Sequence, residues 1–241
     1  MTSDIRAAGG TRPTRRLAAA GLAGILLAGS GCSPDTDGGA PSGQQNPAPS
    51  APPPPIVASV DTVLANRPLF GVYLRDRAEK NLDRVTDAAG CRPTLLELFA
   101  SVADGVSTTT IRAVPGVPVL SIEPWRPKGP EEQKDFTLKA TIDGRWDEQY
   151  KKMARAVLEY RDVVLVRFAH EMNGHWYPWA ATNGNKSGQY VAAWRHVVDL
   201  FRAEGVTNAL WVWSPNILRG TGSKTIRQYW PGDKYVDSRT P

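Results

Sequence analysis

The chain has 241 residues, 41% apolar and 22% charged, an ordinary globular composition with enough apolar material for one buried core. Its formal charge of +5 is unevenly placed: Arg6, Arg12, Arg15 and Arg16 fall in the first 31 residues against Asp4. No basic tract follows, so the electrostatic footprint of a nucleic-acid partner is missing from the sequence.

Those first 31 residues read as a targeting segment. A basic stretch ends at Arg15-Arg16, and the apolar run "LAAAGLAGILLAG" starts at Leu17. The run is too short for a stable membrane span. It leads into "GSGC" at Cys32, which resembles a bacterial lipobox, although Gly29 stands where Leu is usual. The reading is a lipoprotein signal over 1–31, lipidation at Cys32, and a secreted domain lipid-anchored to the bacterial cell surface. A plain secretory signal is the alternative. The only other cysteine, Cys91, reads as a small packed thiol without a disulfide partner. Residues 32–55 are rich in Pro, Gly, Ser and Gln and cannot bury enough apolar surface to offset their ordering entropy; they are expected to form a disordered tether.

From Ile56 onward strand-like and helix-like pieces alternate. Apolar runs at Leu69–Leu74, Val117–Trp125, Asp162–Glu171 and Asn208–Asn216 suit strands buried on both faces. The β-branched "STTTIRAV" is expected to supply one more strand or short piece. Apolar positions recur at helical spacing from Trp146 to Tyr160 and from Gln189 to Glu204, with Gly205 as a stop. The alternation predicts an α/β fold with a parallel sheet.

The densest chemistry lies in "RFAHEMNGHWYPW", Arg167 to Trp179. His170, Glu171 and His175 do not form a helical zinc pair, because H-E-x-x-x-H is one residue longer than H-E-x-x-H and follows a strand pattern. No metal and no cofactor is expected. Alternation instead places Arg167, Ala169 and Glu171 on one face of a strand. In a parallel barrel a Glu at the carboxyl end of a strand stands at the catalytic rim, where it can serve as a general acid at a glycosidic oxygen. Trp125, Trp176, Trp179 and Trp213 lie at or near strand ends, where indole faces suit the apolar faces of pyranose rings; core packing is the competing reading for each. Glu123 is read as the other rim carboxylate with an inward path, bonding substrate or backbone.

The pieces "FGVYL", "VPVLSIEPW", "VRFAHEMNGHWYPW", "YVAAWRHVVDLFRAEGVTNALWVWSPN" and "YWPGDKYVD" together resemble glycoside hydrolase family 26, the β-mannanase-type enzymes. The resemblance implies a (β/α)8 TIM barrel over 56–241, incomplete at about strands 1–5 and the start of 6. It also implies retaining hydrolysis of β-1,4-mannan or a related polysaccharide. By the same resemblance Glu171 is the acid/base, His170 its supporting neighbour, Trp176 the cleft tryptophan, Asn173 a motif neighbour in the substrate site and Trp125 a subsite aromatic. The family pattern continues into a strand carrying a second Glu, which does not follow "KYVD". The expectation is therefore a truncated hydrolase, inactive alone. The alternatives are a non-catalytic β-glycan-binding surface lipoprotein and a non-functional product.

Overall fold

The protein is described by a computed structural model covering Val63 and residues 69–129, 133–217 and 226–239, with only the backbone of Ser238 and Arg239. The expected signal, tether and Cys32 lie outside the described residues. Six strands form one parallel sheet: β1 (Gly71–Tyr73), β2 (Leu95–Ser101), β3 (Val117–Glu123), β4 (Val164–Phe168), β5 (Ala209–Trp213) and β6 (Ser238–Arg239). Each pairs with the next in sequence order. Helices α1 (Glu79–Ala89), α2 (Thr108–Arg112), α3 (Leu138–Ile142), α4 (Asp147–Tyr160) and α5 (Ser187–Ala203) sit in the crossovers. Crossovers of one hand between sequential neighbours place all helices on one face of the sheet. The result is an arc of a (β/α)8 barrel.

Side-chain alternation divides the sheet into two faces. Leu96, Leu98, Leu120, Ile122, Val164, Val166, Phe168, Trp211 and Trp213 are buried on the helix face. Leu95, Glu97, Val119, Leu165, Arg167, Val212 and Ser214 line a concave cavity of about 460 Å³ on the other. That face carries a polar layer. Arg167 ion-pairs with Glu97 and donates through Nε to Ser214 Oγ at 3.0 Å, and Ser121 Oγ donates to Glu97 at 2.6 Å. At the N-terminal end of the strands, Val63, Val163 and Leu210 form a small apolar cluster with Leu95 and Leu165 packed against it.

The two long helices dock by the stripes that their spacing predicts. Helix α4 buries Tyr150, Met153 and Val157; α5 buries Tyr190, Trp194, Val197, Val198 and Phe201. Trp194 meets Phe168, Tyr190 and Trp211 edge-on or tilted, and its Nε1 donates to Tyr235 O at 2.9 Å. The guanidinium groups of Arg195 and Arg202 lie over the Tyr235 ring at 5.3 and 5.2 Å, and Asp237 accepts from Trp211 N–H at 2.8 Å. The "PGDKYVD" segment is thereby fastened to α5 and β5.

Two elements differ from the sequence reading. "STTTIRAV" is a helix, not a strand: Ser107 accepts from Thr110 N–H, an N-cap that its β-branched composition conceals. The second strand is Leu95–Ser101 instead, in register with β3 from Leu95↔Val117 to Ser101↔Glu123.

The layer assignment separates two tryptophans. Trp194 is fully buried and Trp176 is 45% exposed. Trp194→Ala is expected to lower unfolding free energy by about 3–5 kcal/mol. Trp176→Ala should lower it by about 1 kcal/mol or less. Urea titrations of the two variants check this, and equal losses would contradict the assignment.

Candidate active site

Strand β4 stops at Phe168, earlier than the alternation through Glu171 suggests. Ala169 (φ 44°) and Glu171 (φ 54°) both adopt the left-handed conformation. Each such non-Gly residue costs of order 1–3 kcal/mol and persists only where its surroundings hold it. The holding contacts come from both neighbouring strands. Ala169 N–H donates to Ile122 O at 3.0 Å, and Glu171 N–H donates to Ser214 O at 2.8 Å. Asn173 clamps the β5 end: its Nδ2 donates to Asn216 O at 2.8 Å and its Oδ1 accepts from Asn216 N–H at 2.7 Å. Asn173, expected in the substrate site, thus has both atoms of its amide engaged by the Asn216 backbone.

The clamp presents Glu171 to the concave cavity, beside Tyr73, Glu97, Arg167, Asn216 and Ile217. Trp176 Nε1 donates to Glu171 Oε2 at 3.1 Å. The Trp176 ring lies against Gly174, where a Cβ would come within 2.8 Å of it, so only glycine permits this approach. Trp176 also lines a second cavity of about 750 Å³ together with Trp125, Lys128, Gln133, Thr137 and His175. Trp176 thus links the two cavities: its indole bonds Glu171 of the first, and its ring lines the second with Trp125.

Behind the rim is an aromatic buttress. His170 is buried; its Nε2 shares a hydrogen bond with Tyr177 Oη at 3.0 Å, while Nδ1 has no partner. Burial, reinforced by the Arg167 charge, pushes the His170 pKa down to about 3. The imidazole is therefore neutral at working pH and brings no positive charge to Glu171. Tyr177 stacks on Trp179 with centroids 4.3 Å apart, and Trp179 Nε1 donates to His170 O at 2.8 Å. Burial, then the charges of Glu123 and Glu171, push the Tyr177 phenol up to about 12.

Two more expectations are corrected. Trp179 is 1% exposed and supports Tyr177 and His170 from beneath; it cannot face a ligand. Trp213 is 5% exposed and lies on the helix face against Trp230, because Val212 and Ser214 take the inward positions of β5. The sequence reading also missed Glu97. The signal was available: a lone Glu inside the apolar run "LLELFA" must find a cation, and Arg167 sits equally alone in "VLVRFA". Among the described residues no group of three His, Cys, Asp or Glu side chains could hold a metal ion.

Comparison with known proteins bears on this arrangement. The model of "Glycosyl hydrolase family 26" matches residues 132–238, which include β4, the acid-bearing loop, α5 and β5. Endoglucanase H of Acetivibrio thermocellus is 37% identical over 123 residues, 49% of this chain and 13% of that protein. Mannan endo-1,4-beta-mannosidase A and B of Caldalkalibacillus mannanilyticus is 31% identical over 159 residues, 61% of this chain and 30% of that protein. The chain thus spans less than a third of either relative. A GH26 β-mannanase from Bacteroides ovatus shares the fold at TM-score 0.54 and 22% identity, over 71% of this chain and 60% of that one. The β-mannanase from a symbiotic protist of the termite Reticulitermes speratus does so at TM-score 0.52 and 19% identity, over 70% and 62%. The chain thus shares the barrel arc of these structures and matches glycosyl hydrolase family 26 over residues 132–238, the segment that carries the Glu171 loop.

Proposed function

We propose that the chain carries the acid side of a retaining, endo-β-mannanase-type glycoside hydrolase site, with Glu171 as its proton donor. The observation that supports this most is the Glu171 carboxyl at the carboxyl end of β4, opening into the concave cavity and oriented by the Trp176 indole. In the reaction Glu171 protonates the leaving glycosidic oxygen as the bond to C1 breaks, and later takes a proton from water. Neutral His170, fixed through Tyr177 and Trp179, shapes the site without adding charge. Trp176 and Trp125 offer indole faces to the sugar rings. The names of the relatives support β-1,4-mannan as the first substrate to test and β-glucan as the second.

Retention needs a second carboxylate about 5–5.5 Å from the first. Among the described residues two further carboxylates stand on the inward side of the sheet, and both are engaged: Glu97 by Arg167 and Ser121, Glu123 by Trp125. Neither is free to attack C1. This favours a second reading, glycan binding without hydrolysis by these residues alone.

An external nucleophile separates the two. With azide and mannohexaose, azide bonds to C1, the C1–O bond breaks and Glu171 supplies the proton to the leaving sugar. Azide-dependent mannosyl azide, abolished by Glu171→Gln, is expected; water alone should give little product. Product formation that survives Glu171→Gln would overturn the acid assignment. Saturable binding with no azide product would leave glycan binding. Binding to neither mannan nor β-glucan would sink both readings.

We also propose that Cys32 is acylated and anchors the domain at the cell surface; the apolar run and "GSGC" support this. One acyl chain gives only reversible binding, so stable anchoring needs more than one. The protein expressed in a bacterial host should partition into the detergent phase, and Cys32→Ala should move it to the aqueous phase. Equal partitioning of the two argues for a plain secretory signal.

A further inference from the structure

Glu123 is a carboxylate that the proposed chemistry does not use. It closes β3 level with Ser101 of β2, and the residue is 6% exposed. Its Oε2 accepts from Trp125 Nε1 at 3.0 Å, and its backbone carbonyl accepts from Trp125 N–H at 2.9 Å. Both nitrogens of Trp125 are thereby tied to one residue. The Trp125 ring meets Tyr177 and Trp179 edge-on at 5.8 and 5.7 Å, and also lines the 750 Å³ cavity that it shares with Trp176. The bond to Glu123 therefore fixes the tilt of an indole that forms one wall of the cleft.

The charged and titratable groups facing Glu123 are Glu97 from β2, Arg167 from β4 and Tyr177 from the loop after β4. Burial is the largest influence on its carboxyl and outweighs the indole hydrogen bond; Glu97 adds to it and Arg167 opposes it, leaving the pKa raised to about 6. A raised carboxyl opposes folding when ionised, so packing alone would be better served by a neutral side chain at this position. A costly charge beside a cleft aromatic suggests a task for that charge.

We propose that Glu123 is a positioning residue that sets Trp125 as a sugar-stacking wall, and that its charge couples the cleft's grip on a neutral hexopyranose chain to pH. The ionised carboxylate makes a charge-assisted hydrogen bond that holds the indole; the protonated group makes a weaker neutral one. Affinity is therefore full well above pH 6 and falls as pH drops through it. The glycan half of the proposal rests on the functional reading above; the Glu123–Trp125 coupling does not.

Nitrogen-15 spectra of the full chain from pH 4.5 to 8 test the coupling without ligand. The Trp125 indole resonance, assigned by its loss in Trp125→Phe, is expected to titrate with a midpoint near 6 and to go flat in Glu123→Gln. Glu97→Gln, which removes a like charge, should lower the midpoint. A pH-flat indole in the unmodified chain, or a titration that persists in Glu123→Gln, overturns the proposal. Mannohexaose binding is then measured by calorimetry in a Glu171→Gln background, which prevents turnover. Affinity should fall about 3–10-fold from pH 7.5 to 5 with Glu123 present, and by much less in Glu123→Gln. A pH-independent affinity overturns the coupling to glycan. A titrating indole with no glycan bound at any pH overturns the functional reading of the cleft and leaves the Glu123–Trp125 contact standing.

Discussion

Arg167 ties four strands together on the concave face of the sheet. From β4 it reaches Glu97 on β2 and Ser214 at the end of β5, while Ser121 of β3 completes the coordination of Glu97. Two charges withdrawn from water in this way are tolerated only when their remaining hydrogen-bonding capacity is met. The two serines contribute to that here. The ion pair fixes β2 and β4 across the intervening β3, which a run of purely apolar side chains could do only with less lateral precision. It also adds to the electrostatics above it, where burial is the largest influence. Arg167 opposes the rise of the Glu123 pKa, lowers that of Tyr177 and disfavours the charged form of His170.

Above this layer the backbone departs from the strand. Two left-handed residues, Ala169 and Glu171, flank His170 and carry unfavourable conformational energy. Bonds to Ile122 and Ser214 and the Asn173–Asn216 pair oppose it, so Glu171 is presented by a turn that β3 and β5 hold from either side. A carboxyl placed by such a turn has little freedom to adopt other directions, a form of preorganisation that suits proton transfer. The buttress beneath it, Trp179 on Tyr177 on His170, is rigid for an ordinary reason: large flat rings in contact have few rotamers to exchange.

The parts of this arrangement that were legible in the sequence are the local ones. Strands β3, β4 and β5 announce themselves as apolar runs, and α4 and α5 by their periodic stripes. Strand β2 was obscured because Glu97 breaks its run and its partner Arg167 lies 70 residues away. Helix α2 was misread because three threonines favour strand by propensity, while one Ser107 cap decides otherwise. In the site, the Glu171–Trp176 contact closes within five residues of one motif, whereas the Asn173–Asn216 pair spans 43 residues and leaves no local trace. Trp213 was misplaced for another reason: alternation fixes that Trp211 and Trp213 share a face, but which face turns inward depends on where Val212 and Ser214 find their neighbours.

The cleft contains the same device twice. Glu171 accepts from the indole of Trp176, and Glu123 accepts from the indole of Trp125. Both pairs stand at the carboxyl ends of adjacent strands, and both indoles line the same cavity. The pairs differ in surroundings. Glu171 opens into the concave cavity beside Pro215 and Asn216 at the β5 end. Glu123 is 6% exposed and its carboxyl is bonded to the Trp125 indole. Two carboxylates with the same partner type thereby differ in accessibility, and the roles proposed for them follow that difference: proton exchange with a ligand for Glu171, and action through the ring that it holds for Glu123.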